Sequence, residues 1–188
     1  MISDEKSRYK SWGSLKKQMN DLLCDALKDR ISYFYTSYHE VHNAYGRATI
    51  NFDQQELVAF SWITGYQRMA DVAEQYKKMK HVPSALEDFR GSMRAYQAAR
   101  TTLMKEKWMP DCTLCEGDFI HSLTIYLKTD VASALVSDNY ILRVLAYMDR
   151  RVGKRTLLRI KDNVAALPEW VQQFYRLRCE HENIESNQ

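Results

Sequence analysis

Apolar residues at Leu15, Met19, Leu22, Leu23, Ala26 and Leu27 recur every three or four positions, which keeps one side of a helix against a core. The spacing predicts a first helix over residues 12 to 29, with Ser11 or Ser14 as its N-cap. The period then changes. "ISYFYTSYH" is aromatic and β-rich, and "RATINFD" alternates, with Ala48, Ile50 and Phe52 on one face and Arg47, Thr49, Asn51 and Asp53 on a wet one. "ELVAFSW" follows after a short turn, so residues 31 to 62 read as a three-stranded antiparallel meander whose dry face the first helix covers.

Helical spacing returns after Gly65, at Tyr66, Met69, Ala73 and Tyr76, breaks at His81-Val82-Pro83, and resumes at Leu86, Phe89, Met93, Tyr96 and Leu103. The alternation of three and four is a heptad-like seam, and Ser84 to Glu87 is a capping box directly after the proline, so the two arms are expected to form an antiparallel helical hairpin. "EKWMPDCTLCEGDF" has loop composition. Beyond it the pattern predicts a helix in "GDFIHSLTIYLK" and a short one from Thr129 or Asp130. A third, capped by Ser137, has the stripe Ile141, Leu142, Leu145 and Met148 and ends near Gly153. The last runs from about Pro168 to His181, with Trp170, Val171, Phe174 and Leu177 inward. The expected fold class is α+β, predominantly helical: an N-terminal helix on a three-stranded antiparallel meander, a helical hairpin, and a C-terminal bundle of short helices. Residues 1–188 read as a single compact domain, with possible sub-lobes at 1–64 and 65–188.

Composition supports a chain ordered throughout: 45% of residues are hydrophobic, and three prolines and six glycines leave little room for a linker. The 27 basic and 24 acidic side chains give a net charge of +3, too small for a dedicated nucleic-acid binder, so any basic site must be local. The first residues hold no apolar signal segment and no run reaches bilayer length, which predicts a cytoplasmic protein with no membrane partner.

The local concentration of charge is "AYMDRRVGKRTLLRIKD", which carries Arg150, Arg151, Lys154, Arg155, Arg159 and Lys161. A phosphate-binding loop is excluded, because Met148 stands where its first glycine is needed and Arg155 where its hydroxyl is needed. A helix-turn-helix, Ser137–Val152 then Lys154–Asn163, offers a nucleic-acid or phosphoanion site at Arg150, Arg151, Lys154, Arg155 and Arg159. The favoured reading is a solvated turn, in which Arg150 and Arg151 complement a helix dipole and Gly153 stops the helix.

These stretches also carry a likeness. "LKKQMNDLLCDALKDRISYFYTSYHEVHNAYGRATINFD", "SDNYILRVLAYMDRRVGKRTL" and "FYRLRCEHENI" resemble a family of short bacterial proteins known from genome and structural-genomics surveys, without an assigned activity. The likeness covers most of residues 12–62 and 117–184. It implies an intact cytoplasmic bacterial protein and supplies no catalytic residues.

Cys112 and Cys115 have the spacing of half a zinc site, for which Cys179 and His181 are the second pair to consider. Two unrelated thiols are expected instead, and no cofactor. A redox dithiol lacks the strand-to-helix context it needs. His39-Glu40-Val41-His42 departs from the zincin pattern, and His81 and His121 read as ordinary loop and helix residues. No Gly-x-Ser-x-Gly elbow appears. Of the twelve tyrosines, Tyr33, Tyr35, Tyr38 and Tyr45 crowd the meander, where apolar rings with polar tips suit a half-wet sheet face, the favoured reading, and also suit a protein-binding face. The sequence therefore favours a non-enzymatic interaction or adaptor protein, binding a protein partner or a second copy of itself. The alternatives are a nucleic-acid or phosphoanion binder using residues 150–161, and an enzyme without a recognisable motif.

Overall fold

A computed structural model describes residues 11–36, 46–61 and 115–184. The expected helical hairpin, Tyr38, Tyr45, Cys112 and the His39–His42 segment lie outside the described residues.

Helix α1, Trp12–Leu22, starts on Ser11, whose hydroxyl accepts the Ser14 N–H. It ends seven residues before the expected boundary. Leu23 turns extended and bridges Asp149, and the Cys24 N–H donates to Met148 O at 2.9 Å. Residues 25–30 then form tight turns, from which Leu27 still reaches the core. Periodicity continues across this break because a turn can present the same side inward as a helix does.

The meander forms as expected, in the order β1-β2-β3: β1 Ile31–Thr36, β2 Arg47–Phe52 and β3 Gln55–Ser61, all antiparallel. Asp53 and Gln54 join β2 to β3 with φ of 46° and 67°, the two positive angles of a type I′ hairpin turn. Arg30 closes over that turn, paired with Asp53 and lying 4.2 Å above the Phe52 ring.

Register places Ile31, Tyr33, Ala48, Ile50, Val58 and Phe60 on one buried face. The opposite face is drier than its alternation suggests. Thr49 is buried there, between Phe34 and Ala59 in the register.

Helix α1 does not cover the inner face alone. Trp12 meets Tyr35 at 5.5 Å, but helix α2, Glu116–Tyr126, stacks Phe119 on Phe60 at 4.9 Å, and Trp170 meets the far edge of Phe60. The short helix α3, Val131–Leu135, is capped by Asp130. Helix α4, Tyr140–Met148, is capped by Asn139 and not by Ser137, whose hydroxyl accepts the Asn139 N–H one step earlier. Seven of its residues are buried, so it is the central rod of the C-terminal half.

Helix α5 is Lys154–Ala165 and helix α6 is Glu169–His181; α4 and α5 each pack chiefly on α6. The inward stripe of α6 is Val171, Phe174, Tyr175, Arg178 and Cys179, with Trp170 and Leu177 at its margins. The fold is thus α+β with an N-terminal helix, a three-stranded antiparallel sheet and several following helices. No helix among the described residues is long and apolar enough to cross a membrane.

Candidate functional site

The basic stretch begins where α4 stops. Met148 is its last helical residue, and Asp149 turns extended with φ −76° and ψ 132°. Two backbone bonds tie this point to the end of α1: Cys24 N–H to Met148 O, and Arg150 N–H to Leu22 O at 2.8 Å.

Asp149 is 1% exposed, and a buried carboxylate must be surrounded by donors. The Tyr126 hydroxyl donates to Oδ2 at 2.7 Å. The Arg151 backbone N–H donates to Oδ1 at 2.8 Å, and the Arg151 guanidinium grips both oxygens, with Nη2 at 2.6 Å. Burial, with the adjacent carboxylate, pushes the Tyr126 hydroxyl well above the ordinary tyrosine range, so it stays a donor at neutral pH. The hydrogen bonds that Arg151 donates to Asp149 hold its guanidinium above even the usual arginine range.

A second buried charge closes the turn from the other side. Arg178 is 2% exposed and reaches over from the last turn of α6. Its Nη1 donates to Tyr147 O and Asp149 O at 3.3 and 3.2 Å, its Nη2 donates to Val152 O at 3.0 Å, and Glu182 pairs with it at 3.0 Å. The carbonyls freed at the end of α4 are thus collected by one guanidinium. Sequence reasoning missed this residue. Counting three, four and seven from Val171 gives Phe174, Tyr175 and Arg178, so the signal was an arginine on an apolar stripe.

Gly153 does not stop α4. It stands at the N-cap of α5, with extended backbone and no side chain to accept an N–H. No acidic residue occupies the first turn of α5, where Lys154 and Arg155 put two cations at the positive end of the helix dipole. Lys154 is tethered, its ammonium donating to Glu182 O at 2.8 Å.

The five sequence-predicted cations therefore divide. Arg151 is committed to Asp149 and Lys154 to the end of α6. Arg150, Arg155 and Arg159 are exposed, and their guanidinium groups take no ion pair or hydrogen bond among the described residues. Buried Leu157 and Val164 fix α5 against the core, which turns Arg155, Leu158 and Arg159 outward. Leu158 is 50% exposed in their midst.

The tyrosine face is placed differently from expectation. Tyr33 is buried on the core side of β1, where burial raises its hydroxyl far above the usual range, and Tyr35 packs half-buried beside Trp12. The strand's exposed aromatic is Phe34, at 52%.

Of the zinc candidates, Cys115 is the N-cap of α2, its N–H donating to the Asp118 carboxylate at 3.0 Å. Burial pushes its thiol up to about 11, which keeps it protonated near neutrality. Cys179 is buried in α6, and His181 places Nδ1 2.9 Å from Leu177 O, with its ring edge-on to Phe52. No three His, Cys, Asp or Glu side chains among the described residues are grouped to hold a metal.

No curated protein and no solved structure matches the chain. The sequence profile that does match is that of the SF0329 protein family, over residues 11–179, which takes in the sheet, the buried turn and the basic face of α5. The chain belongs to the SF0329 protein family.

Proposed function

We propose that this protein is a non-enzymatic interaction module of the bacterial cytoplasm, which docks an acidic protein surface on the outward face of α5. One observation carries the reading: Arg155 and Arg159 take no ion pair or hydrogen bond among the described residues and flank the exposed Leu158 on a helix whose inner side is packed on the core. Unpaired cations steer and orient a partner of opposite charge, and a central apolar side chain supplies the anchor. Of the tyrosines of the meander, Tyr33 lies in the core, and Tyr38 and Tyr45 lie outside the described residues. The free thiols of Cys24, Cys115 and Cys179 suit a reducing compartment. The reading calls for no bound cofactor.

The test is affinity purification of the full chain from its host, beside Arg155→Glu/Arg159→Glu. A protein should co-purify with the parent and be lost from the variant at unchanged melting temperature. Equal recovery by both would remove α5 as the docking face.

A second reading, nucleic-acid binding, is favoured by the uncapped, cation-bearing start of α5. Arg150, Arg155 and Arg159 on phosphates imply a log–log salt slope of about −3 on duplex DNA. Submicromolar binding near physiological salt, abolished in the same variant, would put this reading first; we expect none.

A further inference from the structure

We propose that the cleft between α1 and the turn at residues 25–30 is a binding site for a small phosphorylated polyol. Gly13, Lys16, Lys17, Asn20 and Asp21 follow one another along a single face of α1 and form one wall. Lys28 and Asp29 face them, and Leu23 and Ile31 complete the lining of a cavity of about 410 Å³. That volume falls in the range of small-molecule sites.

Both walls are fixed. One is helix, and the other is a turn bonded through Leu27 N–H and Lys28 N–H to Cys24 O and through Arg30 N–H to Leu27 O. Asp29 is held left-handed at φ 65°, a conformation that costs free energy for a residue with a side chain. Asn20 belongs to the lining, and its side-chain oxygen, shut off from solvent, receives no hydrogen bond among the described residues. An unserved buried acceptor is costly, so a ligand that draws the Asn20 amide toward the cleft and donates to it recovers that loss.

The lining decides the ligand's chemistry. Three ammonium groups, of Lys16, Lys17 and Lys28, suit a phosphate. The Asn20 oxygen and the carboxylates of Asp21 and Asp29 accept only, so the remainder of the ligand must donate, as hydroxyl groups do. A bare inorganic anion would leave those acceptors unserved and meet two like charges. An α-amino acid has one donor group for three acceptors. A flat apolar ligand would find no aromatic side chain in the lining.

No residue of α5 lines the cleft, so this site and the docking face stand or fall separately. The test is calorimetric titration of the full chain with glucose 6-phosphate, ribose 5-phosphate and glycerol 3-phosphate, beside glucose, inorganic phosphate and glycine. At least one phosphorylated probe should bind one to one below about 1 mM, and about tenfold tighter than glucose or phosphate. Lys17→Ala and Lys28→Ala, at exposed positions, should each weaken it about tenfold. Asn20→Leu should lower affinity while leaving the melting temperature unchanged or raised, because it removes the orphan acceptor. Arg155→Ala should change nothing. Failure of all three phosphorylated probes, equal binding of inorganic phosphate, tighter binding of glycine, or indifference to the lysine variants would each overturn the proposal.

Discussion

Asp149 and Arg178 are the residues on which the C-terminal half turns, and they differ in how readily a sequence exposes them. Asp149 sits in a run of charge, "DRRVGKR", where a solvated side chain is the natural expectation; the structure buries it and spends Arg151 on it. Removing it should therefore be far more costly than removing its partner. Asp149→Ala orphans the buried Tyr126 hydroxyl and the Arg151 backbone N–H together and should destabilise by about 3–5 kcal/mol. Arg151→Ala, whose side chain is 44% exposed, leaves Asp149 its tyrosine and backbone donors and should cost about 1–2 kcal/mol. Urea unfolding of the two variants measures the difference, and equal losses would show that the carboxylate is not the centre of the network. For the candidate site, then, the basic cluster was legible from composition alone. Its division into committed and free cations was not, because that depends on Tyr126 and Arg178, far away in the chain.

At the scale of elements, local pattern located the described strands and every described helix but α5, which entered only as the second helix of the helix-turn-helix alternative, and it misplaced the ends that tertiary contacts decide. Helix α1 stops at Leu22 because Leu23 and Cys24 pair with a segment more than a hundred residues later, which no window of local sequence contains. Helix α4 stops at Met148 for the same reason. The turn expected over Asp53-Gln54-Gln55 closes one residue sooner, at Asp53–Gln54, since an alternating strand fixes approximately where its hairpin must reverse. The uncapped start of α5 gives the clearest expectation at this scale. A Cβ at Gly153 meets nothing within 4 Å, and the backbone there is extended. Gly153→Asp should supply the missing acceptor and oppose the repulsion between Lys154, Arg155 and the helix dipole, raising stability by about 0.5–1 kcal/mol. Thermal melting checks it; a lower melting temperature would mean that the turn already serves those N–H groups.

The molecule as a whole keeps many acidic protons out of water. Burial raises the hydroxyls of Tyr33, Tyr126, Tyr147 and Tyr175, Tyr147 to about 12, and burial likewise raises the thiols of Cys24, Cys115 and Cys179. In the unfolded chain tyrosines ionise near pH ~10 and thiols near ~8.5. Above those values the unfolded state binds fewer protons than the native one, so stability falls with rising pH, by about 1.4 kcal/mol per pH unit for each group that differs fully. The contribution is complete below about pH 8.5 and is lost progressively as pH climbs past about 10. Melting curves should show this alkaline decline, shallower in Tyr126→Phe; a flat profile to about pH 11 would contradict the burial of these side chains. The bridge from Leu23 to Asp149 also sets a timetable. The meander can close on itself during synthesis, but the end of α1 has no partner until residue 149 leaves the ribosome, a delay of about 6–25 s at ordinary elongation rates. Tyr33 and Phe60 wait until residue 119 for the Phe119 ring, and Phe60 waits until residue 170 for Trp170. Those apolar contacts of the sheet are thus completed only after its own strands have paired.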